Sequence, residues 1–216
     1  TYNKQNKNDG GENIQTTATP ASGKTIIIDA GHGTPDEGAQ SSSGTTEAQT
    51  NLKIALKLQN LLEQNGSKVI LTRSDNNAIY DLDSKTLKQK KISDIKNRVK
   101  IGNENSADIF VSIHLNKIPQ SEYHGWQCFY NTKNEKSIEL AKKIQENLNE
   151  AIQKENTRVA MKLNTVYIMK NIEIPISIVE CGFLSNPEEE KKLLEDSYQD
   201  RLAWGIYNGI LDYFYN

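Results

Sequence analysis

The sequence predicts an α/β domain: a central, mostly parallel sheet carrying helices on both faces. Three observations lead there. Short, nearly all-apolar, β-branched runs recur along the chain, as in strands buried on both sides. Stretches with Leu, Ile or Ala at helical spacing alternate with them, the order that builds parallel sheets. At 216 residues the chain suits one domain with a single core, and it shows no internal repeat.

The first 23 residues are polar and rich in Asn, Thr and Gly. Residues 1–23 therefore read as a disordered linker and 24–216 as the folded domain. A polar stretch beginning at Thr1 is what removal of a signal or anchor segment would leave, which would make the protein exported; a polar expression scar would look similar. From Thr25 to Asp29 the β-branched run predicts a buried strand, ending in Ala30-Gly31-His32-Gly33 where glycines permit a sharp turn. A polar loop follows to about Thr45. Thr46 and Gln49 have capping-box spacing, opening a helix to about Asn65 that Gly66 stops.

Lys68–Thr72 is expected as a strand, the Lys-rich segment 84–91 as solvated, and Ile92–Glu104 as a helix. Asp108–His114 is a third strand, again ending in a histidine, and Gly125–Tyr130 a fourth. Ile138, Ala141, Ile144, Leu148 and Ile152 form one stripe of a helix from about Glu135 to Gln153. Thr165–Met169 and Pro175–Val179 are expected as two more short strands. Asn186, Pro187 and three glutamates give a cap, a proline at the first position and acid in the first turn of a helix. An amphipathic helix through Leu202, Ile206, Ile210 and Phe214 completes the chain.

Bulk composition bounds the function only loosely. A formal net charge of -2, with 36% hydrophobic and 25% charged residues, calls for neither nucleic acid nor an anionic membrane as principal partner. No apolar run approaches the length of a transmembrane helix. Cys128 and Cys181, set among apolar neighbours, are expected as buried free thiols. The same reading makes Cys181 a small core residue and not a nucleophile.

In such a sheet, sites gather at the carboxyl ends of the strands. His32 and His114 fall at two of those ends, Glu180 closes a third apolar run, and Glu47 stands in the first turn of the helix after the His32 loop. Two imidazoles and a carboxylate make an open catalytic zinc site, and a further carboxylate can act on the metal-activated water. Each residue alone also has a structural reading. Strand-end histidines are commonly hydrogen-bonded, and an acid in a first helical turn is accounted for by the helix dipole. Glu180 is harder to dismiss, since a carboxylate after an apolar strand needs a partner or a metal.

Four blocks in order carry a resemblance. They are Ile28-Asp29-Ala30-Gly31-His32-Gly33 with Asp36, Gly38-Ala39 and Glu47; Leu71-Thr72-Arg73 with Arg98; Ala107 to Asn116; and Val179-Glu180-Cys181-Gly182-Phe183-Leu184-Ser185-Asn186-Pro187. Together they resemble the amidase-3 family of N-acetylmuramoyl-L-alanine amidases across about residues 24 to 216. The resemblance implies a zinc-hydrolase-like sheet of about six strands, Zn2+ held by His32, Glu47 and His114, and Glu180 as the catalytic carboxylate. It implies hydrolysis of the amide between N-acetylmuramic acid and L-alanine of peptidoglycan. The short domain, without wall-binding repeats, is similar to the small spore-cortex amidases, which implies the cell envelope or spore as location and a regulatory partner protein. Arg73 and Arg98 either bind peptide carboxylates or form internal ion pairs. Asn116 and His124 are further candidates for substrate contact, His124 having an ordinary loop histidine as its other reading. A zinc carboxypeptidase and a metal-free wall-binding module are the rival functions.

Overall fold

The computed structural model of the chain describes residues 18–152 and 156–215. Its elements are β1 (Thr25–Ala30), α1 (Glu47–Gln64), β2 (Lys68–Leu71), α2 (Leu87–Glu104), β3 (Ile109–Asn116), β4 (Gln127–Tyr130), α3 (Glu135–Ile152), β5 (Met161–Lys162), α4 (Tyr167–Asn171), β6 (Ile176–Phe183), α5 (Pro187–Leu194) and α6 (Asp196–Tyr215). The strands form one six-stranded sheet in the order β2-β1-β3-β6-β4-β5. The four strands from β2 to β6 run parallel, while β4 runs antiparallel to β6 and carries β5 parallel to itself. The expected mostly parallel sheet of about six strands, with helices on both faces, is therefore what the chain forms.

Strand alternation sorts the core into two faces. Ile26, Ile28 and Ala30 of β1, Ile109, Val111 and Ile113 of β3, and Val179 and Cys181 of β6 point to one face, where α1, α3 and α6 cover them. Ile27, Phe110, Ile176 and Ile178 point to the other, under Ile168, Met169 and Ile172 of the α4 region and Val99 of α2. On this second face the same strands turn polar toward their carboxyl ends. Asp29 registers with Ser112, and His114 with Glu180. The first loop enters between β1 and β3, where chain connections diverge to either side of β1, and that is where a crevice forms in such sheets. No helix among the described residues is long and apolar enough to cross a membrane.

Several local expectations need correcting. Thr165–Met169 is not a strand: Tyr167–Asn171 forms the short helix α4, and the extra strand is Met161–Lys162. A short apolar run does not distinguish the two by periodicity. Helix α2 begins at Leu87, inside the Lys-rich segment, because Thr86 and Gln89 form the capping box there, Gln89 N donating to Thr86 Oγ1 at 3.2 Å. At α1 the capping box anticipated from Thr46 and Gln49 is absent. Loop carbonyls satisfy the first amides instead, Glu47 N donating to Ala39 O at 2.8 Å and Ala48 N to Glu37 O at 3.1 Å. Glu180 lies within β6 and not at its end, since the strand continues to Phe183. Of the expected linker, residues 1–17 lie outside the described residues. Residues 18–23 are docked: Ala21 is fully buried and its carbonyl accepts from Ser67 Oγ at 2.8 Å.

Candidate active site

The site grows from β1. After Ala30 the chain passes through Gly31 to His32, which adopts φ of 62°, a left-handed conformation that costs a non-glycine residue. Two arginines hold it there. Arg73 Nε donates to Ala30 O at 2.8 Å and its Nη2 to Gly31 O at 3.1 Å. Arg98 Nη1 donates to Ala30 O at 2.7 Å and its Nη2 to His32 O at 2.5 Å. Three successive carbonyls are thereby turned toward guanidinium groups, and the His32 ring is aimed the other way. Arg98 also pairs with Asp29 at 2.6 Å and Asp94 at 2.8 Å. Burial pushes Asp29 upward, but Arg98, Ser112 and Thr72 together hold its carboxyl below the usual range. Arg98 thus makes internal ion pairs, whereas Arg73, equally buried, donates to backbone carbonyls.

His114 and Glu47 meet His32 from two other elements. His114 Nδ1 lies 2.8 Å from Glu47 Oε1, and His32 Nε2 lies 3.3 Å from the same oxygen. Glu47, the first residue of α1, is buried, and its carboxylate is fixed by amides: Ala39 N donates to Oε2 at 2.8 Å and Leu115 N to Oε1 at 3.2 Å. Burial alone would raise its pKa, yet the two histidines and their hydrogen bonds drive it well below the carboxylate range. Burial lowers His32, and Asp36 and Glu47 overcome this, raising it to about 9. Asp36 Oδ2 lies 3.5 Å from His32 Nδ1 and 2.9 Å from Lys91 Nζ. Asp36 thus backs the ring nitrogen that faces away from Glu47.

The three side chains are the one group among the described residues whose His, Cys, Asp or Glu ligand atoms converge, all within 4.8 Å of one another. Bonds of about 2.1 Å to a tetrahedral zinc would set ligand atoms about 3.4 Å apart, so the donor set fits that ion in chemistry and in spacing. The backbone is shaped for the same purpose. A Cβ on Gly31 would collide with the His114 ring, and one on Gly38 would stand 2.5 Å from Glu47 Oε2. Both positions need glycine for the imidazole and carboxylate to come this close.

Glu180 completes the site from β6. Its Cα registers with that of His114, and just beyond this pair β6 carries one more residue than β3 before register resumes at Asn116 and Phe183. Oε2 of Glu180 is buried with no hydrogen-bond partner among the described residues. Burial, with Glu47 adding to it and the histidines opposing, raises its pKa to about 7. A cleft of about 290 Å³ opens over these groups, with His32, His114 and Glu180 at its polar end and Leu163, Val166, Ile168 and Ile178 along an apolar wall. Neither Asn116 nor His124 lines this cleft. The carbonyl of Asn116 accepts from Leu184 N at 2.8 Å, and His124 is exposed with Nδ1 3.1 Å from Glu122 O. Cys128 and Cys181 are free and buried, their thiols pushed upward by burial, so neither is a ready nucleophile.

Sequence reasoning left Asp29, Asp36 and Asp94 without a role. Asp29 interrupts an otherwise apolar strand, where a buried acid demands a cation, and Asp36 sits four residues after His32; those were the available signals.

Comparison with known proteins agrees with this geometry. Residues 26–212 match the family model described as N-acetylmuramoyl-L-alanine amidase. The chain is 38% identical to the germination-specific N-acetylmuramoyl-L-alanine amidase of Bacillus subtilis, covering 90% of this chain and 81% of that protein. Among solved structures it superposes on the CwlD amidase from Clostridioides difficile, determined in complex with the GerS lipoprotein. The TM-score is 0.85 at 45% identity, over 88% of this chain and 98% of that one. An N-acetylmuramoyl-L-alanine amidase from Clostridium difficile 630 gives 0.77 at 32% identity, over 89% and 97%. With fold, site and motif blocks in agreement, the chain belongs to the amidase-3 family of N-acetylmuramoyl-L-alanine amidases, enzymes that act on peptidoglycan.

Proposed function

We propose that this amidase is zinc-dependent, with His32, Glu47 and His114 holding the ion and Glu180 moving the proton. The observation that carries the reading is the convergence of three ligand atoms within 4.8 Å beside a buried carboxylate oxygen that has no partner. When bound, zinc supplies Lewis acidity toward water and toward the scissile carbonyl. The residues do the rest. Glu180 Oε2 accepts a proton from the attacking water and returns it to the leaving nitrogen of L-alanine. The C–N bond breaks as the C–O bond forms, giving a lactyl carboxylate on the sugar strand and a free amine on the stem peptide. A pKa near 7 lets one group serve as base and then as acid. Asp36 orients the His32 ring through Nδ1, and Arg73 and Arg98 fix the loop beneath it. The apolar wall excludes water from the far side of the cleft.

We further infer that the substrate wall is spore cortex, that the protein is exported to the cell envelope or spore, and that a partner protein regulates it. Likeness to a germination-specific amidase and to an amidase solved with a lipoprotein supports all three. The test is zinc content of the purified protein beside His114→Ala, with products from cortex muropeptides identified by mass. Stoichiometric zinc that disappears in the variant, together with free stem peptide from the wild type, is the expected result. Release of stem peptide by a metal-free, chelator-treated enzyme would sink the zinc mechanism.

A further inference from the structure

A second pocket of about 290 Å³ adjoins the catalytic cleft, and the mechanism above makes no use of it. The two cavities share Asp36, Lys91 and Asp94, so they are compartments of one trough along the first turns of α2. The second compartment is firmly built. Asp94 Oδ1 accepts from Ile79 N at 2.8 Å, Asn97 Nδ2 donates to Ile79 O at 2.7 Å, and Ser93 Oγ accepts from Asp81 N at 2.9 Å. From the other side Thr34 N donates to Asn76 O at 2.7 Å and Ala78 N to Thr34 O at 3.1 Å. Segment 76–81 is therefore fastened both to α2 and to the loop that carries His32.

The lining is cationic on an apolar base. Lys88, Lys90 and Lys91 border the pocket with Tyr80, Leu87 and Ala78. Its two acids are already engaged, Asp94 by Arg98 at 2.8 Å and Asp36 by Lys91 at 2.9 Å. Lys90 Nζ stands 4.6 Å over the Tyr80 ring, and neither Lys88 nor Lys90 has a carboxylate partner among the described residues. The substrate has an asymmetry that matches. N-acetylated sugars are uncharged, and the lactyl carboxyl is consumed in the scissile amide. Negative charge therefore lies on the peptide, on the leaving-amine side.

We propose that this pocket is a subsite for a carboxylate of the stem peptide, held by Lys88 and Lys90 beside Tyr80, with Lys91 at the junction leading the peptide into the cleft. The proposal rests on the amidase reading and adds to it a preference for acidic stem peptides. The experiment compares the zinc-loaded enzyme with Lys88→Glu/Lys90→Glu on two muramoyl peptides, one with free carboxylates and one with them amidated. For the double variant, kcat/KM on the acidic substrate should fall about tenfold, through KM, and the loss should shrink at high ionic strength. On the amidated substrate it should stay unchanged. Lys96→Glu, on the same helix but lining neither compartment, should leave the preference intact, and Lys88→Gln/Lys90→Gln gives a milder change with less demand on folding. Equal losses on both substrates, or none, would overturn the subsite. Binding of the free acidic peptide, followed by NMR, decides it independently of turnover. Shifts at Ala78 and Tyr80, which line the pocket in both proteins, that vanish in the variant support it, and their absence in the wild type refutes it. A wild type that cleaves neither substrate concerns the amidase reading or its activating partner, and the NMR result alone then decides the subsite.

Discussion

Among the described residues, one face of the sheet rests on thirty buried hydrophobic residues gathered under α1, α3 and α6, the other on eight under α2 and α4. The thin face makes up the difference with polar groups: Arg98 ties Asp29, which Ser112 also bonds, to the carbonyls of the His32 loop, and Arg73 holds the same loop. Burial of apolar area is non-directional and tolerates small shifts, whereas a buried ion pair or a ligand triad fails when an atom moves by an ångström. The thick face therefore supplies most of the stability and the thin face most of the geometry. Glu180 is the extreme case, since its unpartnered oxygen costs the fold free energy and stands where the proposed mechanism uses it.

The largest expected effect tests that division at Glu180. Glu180→Gln should lower kcat by about 10³-fold, the middle of the range for general acid–base catalysis, while zinc content is unchanged. Metal-free stability should move the opposite way. A carboxyl whose folded pKa is raised from 4.5 to about 7 loses stability as pH rises through that interval, so above pH 7 the variant should melt higher than the wild type. A variant that keeps most of its turnover would remove Glu180 from the chemistry.

Arg98→Met strikes the tie between fold and site. It leaves Asp29 buried and uncompensated, which should cost about 3–5 kcal/mol in chemical denaturation. It also frees the His32 carbonyl, so zinc affinity should drop about 10- to 100-fold in a competition titration. A loss of stability with zinc affinity preserved would show that the His32 loop holds its shape without the guanidinium. Leu58→Ala is the counterpart on the thick face, where the side chain is fully buried. About 3 kcal/mol of stability should go, yet kcat measured well below the melting temperature should match the wild type. Equal damage to both would mean that the faces are not separable.

How much of this was legible in the sequence follows the same divide. The thick face announced itself through periodicity: Ala141, Ile144, Leu148 and Ile152 are buried on the stripe their spacing predicts, while Ile138 is only half-buried and Leu140, outside that stripe, joins the core. His32, His114, Glu47 and Glu180 were visible because a histidine or an acid beside an apolar strand is chemically conspicuous, and because their flanking blocks resemble a known family. What escaped notice needed tertiary knowledge. Arg98 and Asp29 are 69 positions apart, and nothing local marks them as partners. Strand β5 has two residues, both exposed, so it carries no apolar signal. The loop carbonyls that cap α1 in place of Thr46 come from Ala39 and Glu37, within a segment read only as polar.

A smaller effect concerns protons at the ligand triad. His32, raised to about 9 by Asp36 and Glu47 against the pull of burial, stabilises the metal-free fold fully below its ordinary 6.5 and loses that contribution as pH climbs through 9. Zinc needs the neutral imidazole, so binding must expel this proton throughout that window. Affinity should therefore rise about tenfold per pH unit between pH 6.5 and 9, and calorimetry in buffers of different ionisation enthalpy should count about one proton released. A flat affinity profile would mean that His32 is already neutral in the metal-free protein.

The finest test lies where the two faces share a support. Asn186 Oδ1 caps α5, accepting from Glu188 N at 3.0 Å and Glu189 N at 2.9 Å. From that helix Glu189 accepts from Gly125 N at 2.7 Å and Phe183 N at 2.8 Å, while Glu190 accepts from Ser43 Oγ in the loop between His32 and Glu47. Helix α5 thus touches the end of β6, the segment before β4 and the loop between His32 and Glu47, yet its Leu193 is buried in the thick core. Asn186→Ala should cost about 1 kcal/mol, lowering Tm by about 2–4 °C for a domain of this size. If α5 belongs to the supporting side, kcat/KM at low temperature should stay within about twofold, since a frayed first turn leaves the Ser43 loop held by its own hydrogen bonds. A rate loss exceeding the loss in stability would move α5 to the other side of the comparison, as an element whose cap sets the spacing of the segments around the proposed zinc ligands.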